Sequence, residues 1–309
     1  MSANGTDKLL RNASAEWGAA GRAWVERLPS LIRRCAQRWE LVKVGTPYPE
    51  AQFNFVAPVR RGDGQLAVLK IGCPDPPNGE ITREIAALTR YGGLGAARLL
   101  QADRKDAALL LQRAEPGTPL AHLRNDEQAT RIAGRSMKAL WRSLPTHHSF
   151  RPVDAWAAQR LALELSTLPA VIAVETAGRA RALLTAQLAH PCTPVLLHGD
   201  LHHWNLLRAE GDIYWAIDPK GYCGHPLYDV IAWLRNWPDG LRDSAHAQEA
   251  MRCRVAVLSE ELEHPPENVA AWAFAGLVLD AWFDLVRNPD DTYPMHMLRC
   301  AHLLAPLTA

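Results

Sequence analysis

The sequence predicts an α+β fold in two parts, and three observations carry that expectation. Across residues 41–114 short apolar runs alternate with tight turns, the pattern of an antiparallel sheet. At Pro116-Gly117 the composition changes. Residues 118–190 are rich in Ala, Leu and Arg at helical spacing, and helices return beyond residue 226. The expected division is an N-terminal lobe over residues 1–114, built on a small sheet, and a mostly helical C-terminal lobe over residues 115–309.

The elements follow in order. Residues 15–40 place Trp17, Ala20, Trp24, Leu28, Leu31, Ile32, Cys35 and Trp39 at helical spacing. Pro29 interrupts the register, which predicts two short helices or one kinked helix there. Phe53-Asn-Phe-Val reads as a strand, Arg61-Gly-Asp-Gly as a turn, and Leu66-Ala-Val-Leu-Lys-Ile as the second strand of the hairpin. Residues 74–78 read as a loop, and Glu80 to Tyr91 as a helix stopped by Gly92-Gly93. Residues 98–102 and 107–112 form a further hairpin around Asp103-Arg-Lys-Asp. Residues 194–226 mix strands and loops.

Composition removes several function classes. Thirty-four basic and 33 acidic side chains leave a formal charge of +1, so no basic excess favours nucleic acid. With 48% hydrophobic and 22% charged residues the chain can bury a core. No uninterrupted apolar run reaches the roughly 18 residues of a membrane span. The polar N-terminus has no secretory leader pattern, and the six cysteines are scattered without a C-x-x-C pair. These features predict a soluble, cytoplasmic enzyme or binding protein with reduced thiols, acting on neither nucleic acid nor membrane, as a monomer or homodimer.

The densest signal is Val195-Leu-Leu-His-Gly-Asp-Leu-His-His-Trp-Asn-Leu-Leu, followed by Ile213-Tyr-Trp-Ala-Ile-Asp-Pro-Lys-Gly. Phosphoryl transfer from a nucleotide needs such groups in this order. One carboxylate orients the attacking hydroxyl and takes its proton, while an amide oxygen and a second carboxylate hold Mg²⁺ on the phosphates. Asp200 suits the first role, and Asn205 with Asp218 the second. Their oxygen donors match a hard cation. Upstream, Ala67-Val-Leu-Lys70 is a strand ending in a lysine that can pair with the α- and β-phosphates. The next helix offers Glu84, beside the apolar Ala87-Leu88 stripe, or Glu80 one turn earlier, as the carboxylate that holds Lys70.

Taken together, Ala-Val-Leu-Lys, the helix glutamate, Leu109-Leu-Leu-Gln-Arg-Ala-Glu-Pro-Gly, His-Gly-Asp-x₄-Asn and Ile-Asp-Pro-Lys-Gly resemble the aminoglycoside phosphotransferase family over roughly residues 45–290. The branch most similar is that of streptomycin 6-kinases and hydroxyurea phosphotransferases. The resemblance implies a protein-kinase-like two-lobed fold that binds ATP and Mg²⁺. It implies a Lys70–Glu84 clamp on the phosphates, Asp200 as catalytic base, and Asn205 and Asp218 as metal ligands. It further implies a hinge at Gln112-Arg113-Ala114, whose Gln112 carbonyl and Ala114 amide would hold adenine.

Two departures stand out. No G-x-G-x-x-G precedes Lys70, and Gly45-Thr-Pro-Tyr-Pro-Glu-Ala-Gln-Phe-Asn has a single glycine, so backbone amides near residues 50–54 would have to cradle phosphate. Asp218 is followed by Pro-Lys rather than Phe-Gly, and Pro219 stiffens that loop against a regulatory flip. Lys220 is either a further positive charge near the transferred group or a surface lysine. His198, His202, His203 and His225 lack the spacing of a zinc site, and His198 is expected to brace the loop instead. Asp229 opens an apolar helix, where it can serve the helix dipole, brace the Asp200 loop, or do both.

A cationic acceptor such as streptomycin would need local carboxylates. Asp280 and Asp284 lie one helical turn apart in Leu277-Val-Leu-Asp-Ala-Trp-Phe-Asp-Leu-Val, a spacing that is unfavourable unless a cation answers it. Glu260, Glu261 and Glu263 are expected at the surface. Trp204, Trp233 and Trp282 could wall an acceptor through cation–π contact, with core packing the default. The expected activity is ATP- and Mg²⁺-dependent phosphorylation of a hydroxyl on streptomycin or a related aminoglycoside, conferring antibiotic resistance. Three rivals stand beside it: a kinase of the same fold acting on hydroxyurea or another metabolite, a nucleotide-binding pseudokinase or scaffold, and a protein kinase, for whose activation segment the short stretch from Asp218 to Asp229 leaves no room.

Overall fold

The computed structural model describes residues 3–73, 79–237 and 245–308. The loop expected over residues 74–78 lies outside the described residues. The chain divides into two compact units, Met1–Gly117 and Thr118–Ala309. The expected lobe boundary, after Ala114, falls just before that division.

The first unit opens with α1 (Ala3–Arg38), where two helical segments meet at a break. The break is at Gly18, with φ 57° and ψ −128°, and not at Pro29, which sits within continuous helix. Glycine alone reaches that backbone conformation without steric cost. The fold-back brings Gly21 against Ala13 so closely that a Cβ at 21 would lie 2.0 Å from the Ala13 carbonyl oxygen. The helix buries Leu9, Ala13, Trp24, Val25, Leu28, Leu31 and Cys35 against the sheet residues Phe55, Ala57, Val59, Leu69 and Ile71.

That sheet has five antiparallel strands: β1 (Leu41–Val44), β2 (Phe55–Arg61), β3 (Leu66–Ile71), β4 (Leu99–Asp103) and β5 (Ala108–Gln112), in the order β1-β2-β3-β5-β4. Strand β2 runs further than the sequence suggested, through Pro58. Pro58 is tolerated because its carbonyl faces Gly45 N, just beyond the end of β1. Its missing N–H faces the same way, so no ladder bond to β3 is lost. Helix α2 (Glu80–Tyr91) lies between β3 and β4 and ends at Gly92 with φ 61°.

The second unit begins with a one-turn helix at Leu120–His122 and then α3 (Asp126–Leu140), capped by the Asn125 side chain on Gln128 N. Short strands β6 (Arg142–Ser143) and β7 (Arg151–Pro152) lead to α4 (Val153–Leu161) and α5 (Val174–Ala189). Strand β8 (Val195–Leu197), hairpin β9 (Leu206–Arg208) and β10 (Tyr214–Ala216), and β11 (Tyr222–Gly224) follow. Strands β6-β8-β11-β7 form one small sheet, and β9-β10 a second. Helices α6 (Val230–Arg235), α7 (Ala247–Leu262), α8 (Pro266–Arg287) and α9 (Tyr293–Leu304) complete the unit.

Helix α8 departs from the expectation that no segment is long and apolar enough to span a bilayer, since its length and composition would permit it. Its apolar side chains from Val269 to Leu279, with Trp282, are buried within this unit. Gly276 lets α6 approach closely, because a Cβ there would meet Ile231 Cδ1 at 2.5 Å. The described cysteines form no disulfide.

Candidate active site

In the first unit, Lys70 and Glu84 form a buried ion pair. Strand β3 carries Lys70 inward from its fifth position, and Glu84 projects from the apolar face of α2. Lys70 Nζ lies 2.6 Å from Glu84 Oε2, and Glu84 is fully buried. Of the two glutamates weighed, Glu84 is the partner. Strand β5 ends at Gln112, whose N–H donates to Arg98 O at 2.8 Å, and the buried Ala114 follows. The loop from Gly45 to Asn54 is tied to α1. Lys8 Nζ donates to Pro49 O at 2.9 Å and Asn12 Nδ2 to Gln52 O at 3.0 Å.

In the second unit, the segment after β8 turns at Gly199 with φ 82°, where a Cβ would come within 2.5 Å of the Tyr222 ring. His198 is fully buried, and burial pushes its pKa down to about 4, so the ring is neutral. Its Nε2–H donates to Ile217 O at 2.9 Å, which leaves Nδ1 to accept from Asp200 N at 3.3 Å. His198 thus joins the Asp200 backbone to the strand that leads into Asp218, which braces the loop. Two backbone bonds repeat that connection, Ile217 N to Asn205 O at 3.0 Å and Lys220 N to His198 O at 2.7 Å. Asn205 Nδ2 donates to Asp200 O at 3.0 Å and also lies 3.2 Å from His202 Nε2. Both contacts use the amide nitrogen, so the amide oxygen is the atom that could hold a cation.

Asp218 adopts φ 59°, a conformation that aspartate tolerates better than most side chains. Its Oδ2 lies 3.0 Å from Lys220 Nζ. Asp200, Asn205 and Asp218 are therefore linked within one loop system, and an amide oxygen and a carboxylate beside a second carboxylate could hold a divalent cation. The fully buried Asp229 is the loop's brace. Its Oδ1 accepts from Gly199 N at 2.7 Å, and its Oδ2 from His198 N and Trp141 Nε1 at 3.2 Å each. Burial raises its pKa to about 6 against the pull of those three donors. It makes no side-chain cap on α6.

The helix pair Asp280 and Asp284 splits into two roles. Asp280 accepts from Trp156 Nε1 at 3.0 Å and from Arg160 Nε at 2.9 Å, so its cation comes from α4. Among the described residues no hydrogen bond or ion pair falls on the Asp284 carboxylate. Burial and then the Asp280 charge raise its pKa. Glu260, Glu261 and Glu263 meet Arg131, Arg135 and Lys138 along the α3–α7 surface. Trp233 and Trp282 are buried in the core, whereas Trp204 is 48% exposed and sits edge-on to His122.

His203 and His225 also have structural work. His203 stacks on Trp233 with ring centroids 3.7 Å apart, and His225 stacks on Trp272 at 4.8 Å. Sequence reasoning passed over Arg235, whose Nη2 lies 3.0 Å from Asp200 Oδ1. Its position six residues after Asp229 is visible in the sequence, but no spacing rule ties a helix arginine to a carboxylate 35 residues earlier.

Over residues 38–286 the sequence matches the family described as aminoglycoside/hydroxyurea antibiotic resistance kinase. A streptomycin 6-kinase from Streptomyces griseus is 31% identical over 281 residues, which cover 90% of each chain. A hydroxyurea phosphotransferase from Kitasatospora aureofaciens is 34% identical over 225 residues, or 71% of this chain and 64% of the relative. Among solved structures, a thermostable mutant of aminoglycoside phosphotransferase APH(4)-Ia, in ternary complex with ADP and hygromycin B, has a TM-score of 0.60 at 15% identity. It covers 88% of this chain and 97% of that one. At that identity the likeness shows the fold, which is protein-kinase-like.

Proposed function

The chain belongs to the aminoglycoside/hydroxyurea antibiotic resistance kinase family, and from that premise we propose that it phosphorylates a hydroxyl of streptomycin or a related aminoglycoside, using ATP and Mg²⁺. The observation that carries the reading is the hydrogen-bonded loop system joining Asp200, Asn205 and Asp218. The ADP in the related aminoglycoside phosphotransferase complex supports nucleotide use. When bound, the metal neutralises charge on the phosphates.

Each residue then has one task. Lys70, fixed by Glu84, pairs with the α- and β-phosphates, and the backbone of Gln112 and Ala114 holds adenine. Asn205 Oδ1 and the Asp218 carboxylate hold the cation. Asp200 accepts a hydrogen bond from the acceptor hydroxyl, aligns it, and takes its proton. Because the transition state is loose, this positioning and charge stabilisation supply most of the rate. Asp284, with its carboxylate uncommitted, is the group that meets a cationic acceptor, while Asp280 keeps Arg160 in place.

Incubation with ATP, Mg²⁺ and a panel of aminoglycosides, hydroxyurea and sugar alcohols, read by mass spectrometry, tests the reading. Phosphorylated streptomycin is the expected product. Transfer to hydroxyurea alone would favour the second reading, which the 34% identity to a hydroxyurea phosphotransferase supports. Nucleotide binding without transfer to any acceptor would favour the scaffold. Asp200→Asn should lower kcat by about 10²–10⁴-fold with ATP affinity retained, and an unchanged rate would remove Asp200 from the mechanism.

A further inference from the structure

Arg235 is the last residue of α6, and its guanidinium is committed inward rather than to solvent. The Nη2–Oδ1 ion pair with Asp200 has side chains only 20% and 23% exposed. Among the described residues its buried Nε has no hydrogen-bond partner, and Asp200 is the group to which the guanidinium is hydrogen-bonded. Tyr293 covers it, with the ring centroid 5.8 Å from the guanidinium carbon.

The backbone beneath it is fixed from a second helix. The Arg235 carbonyl accepts from His296 Nε2 at 2.7 Å and lies 3.6 Å from Cys300 Sγ, both on α9. The close seating of α6 on α8 at Gly276 fixes the other side. Arg235 is therefore held by three helices while it holds the base.

The two oxygens of Asp200 are unlike in consequence. Oδ1 is engaged by Arg235 at 3.0 Å, whereas Oδ2 has His202 Nε2 nearby at 3.8 Å, beyond hydrogen-bond distance. The terminal torsion of an aspartate is soft and broad, so a carboxylate without such a clamp would rotate between orientations. One charged bond to Oδ1 selects a single orientation.

We propose that Arg235 is the positioning residue of the base, clamping Oδ1 of Asp200 so that Oδ2 is the oxygen that receives the acceptor proton. The proposal rests on the phosphotransferase reading above. In the step it serves, the acceptor O–H bond breaks and its proton passes to Oδ2. The acceptor oxygen bonds to the γ-phosphorus as the bond to the bridging oxygen breaks, and the nucleoside diphosphate leaves with that electron pair.

The test is steady-state kinetics of Arg235→Gln and Arg235→Lys with ATP and streptomycin, beside thermal melts of each variant. Arg235→Gln should lose about 10²-fold in kcat, the scale of a misoriented group, with KM for ATP and for streptomycin within twofold of the parent. Arg235→Lys keeps the charge but not the planar fork, and should recover part of the loss. It also covers the case in which the glutamine variant folds poorly. A rise in KM with kcat intact would overturn the proposal, as would a loss that simply follows the melting temperature. If the parent transfers phosphate to no acceptor at all, the phosphotransferase reading itself fails; if the parent is active and Arg235→Gln is equally fast, only the clamp fails.

Discussion

Asp229 has no place at the reacting atoms, yet three donors from two parts of the chain converge on it. Its carboxylate is fully buried, so exchange for an amide would turn one acceptor into a donor facing an N–H. Leaving a buried donor unsatisfied costs about 1–3 kcal/mol, so Asp229→Asn should lower Tm and slow kcat together. The pH signature separates this from a simple packing loss. Its pKa is raised to about 6 by burial, from an ordinary 3.8. The folded state therefore binds the proton more tightly, and the contribution of Asp229 to stability is present below pH 4 and lost as pH rises through 6. Tm measured from pH 4 to 7 should lose that falling component in Asp229→Asn. An identical profile in parent and variant would mean the carboxylate is not desolvated.

At the scale of elements, α1 shows where local sequence misleads. Pro29 looked like the break because it lacks an N–H, yet the helix runs through it and Gly18 takes the turn. The choice is tertiary, since the Gly18 turn brings Ala13 onto Gly21 and seats both segments on the sheet. The same helix explains how a loop with a single glycine can be kept in shape, for Lys8 and Asn12 tie down Pro49 and Gln52. If that loop cradles phosphate as the sequence leads one to expect, the Lys8→Ala/Asn12→Ala double variant should raise KM for ATP by about fivefold, the value of roughly one hydrogen bond, with kcat nearly unchanged. An unaltered KM for ATP would sever α1 from nucleotide binding. Helix α2, by contrast, was legible to the residue, because its amphipathic stripe and its Gly92 stop are both local features.

For the whole molecule, fully and partly buried histidines shape the response to acid. Burial lowers the pKa of His198 and His225 to about 4 and that of His203 to about 2. The unfolded chain takes up these protons near pH 6.5 and the folded one does not. The stability they contribute is thus full above pH 6.5 and lost as pH falls toward 4, opposite in sign to Asp229 and larger in number. Tm should fall throughout that interval, and His203→Phe, which keeps the stack on Trp233, should make the slope shallower. A flat Tm over the interval would contradict the burial of these rings. By itself the sequence determined the β-then-α order, the Lys70 strand and the Asp200, Asn205 and Asp218 series, because each depends on residues close together in the chain. Only the tertiary structure decided that Arg160 answers Asp280 across 120 residues, that Asp229 braces Gly199 across 30, and that Arg235 clamps Asp200 across 35. A buried charge must find its partner wherever packing brings one, and packing obeys contact in space rather than spacing along the chain.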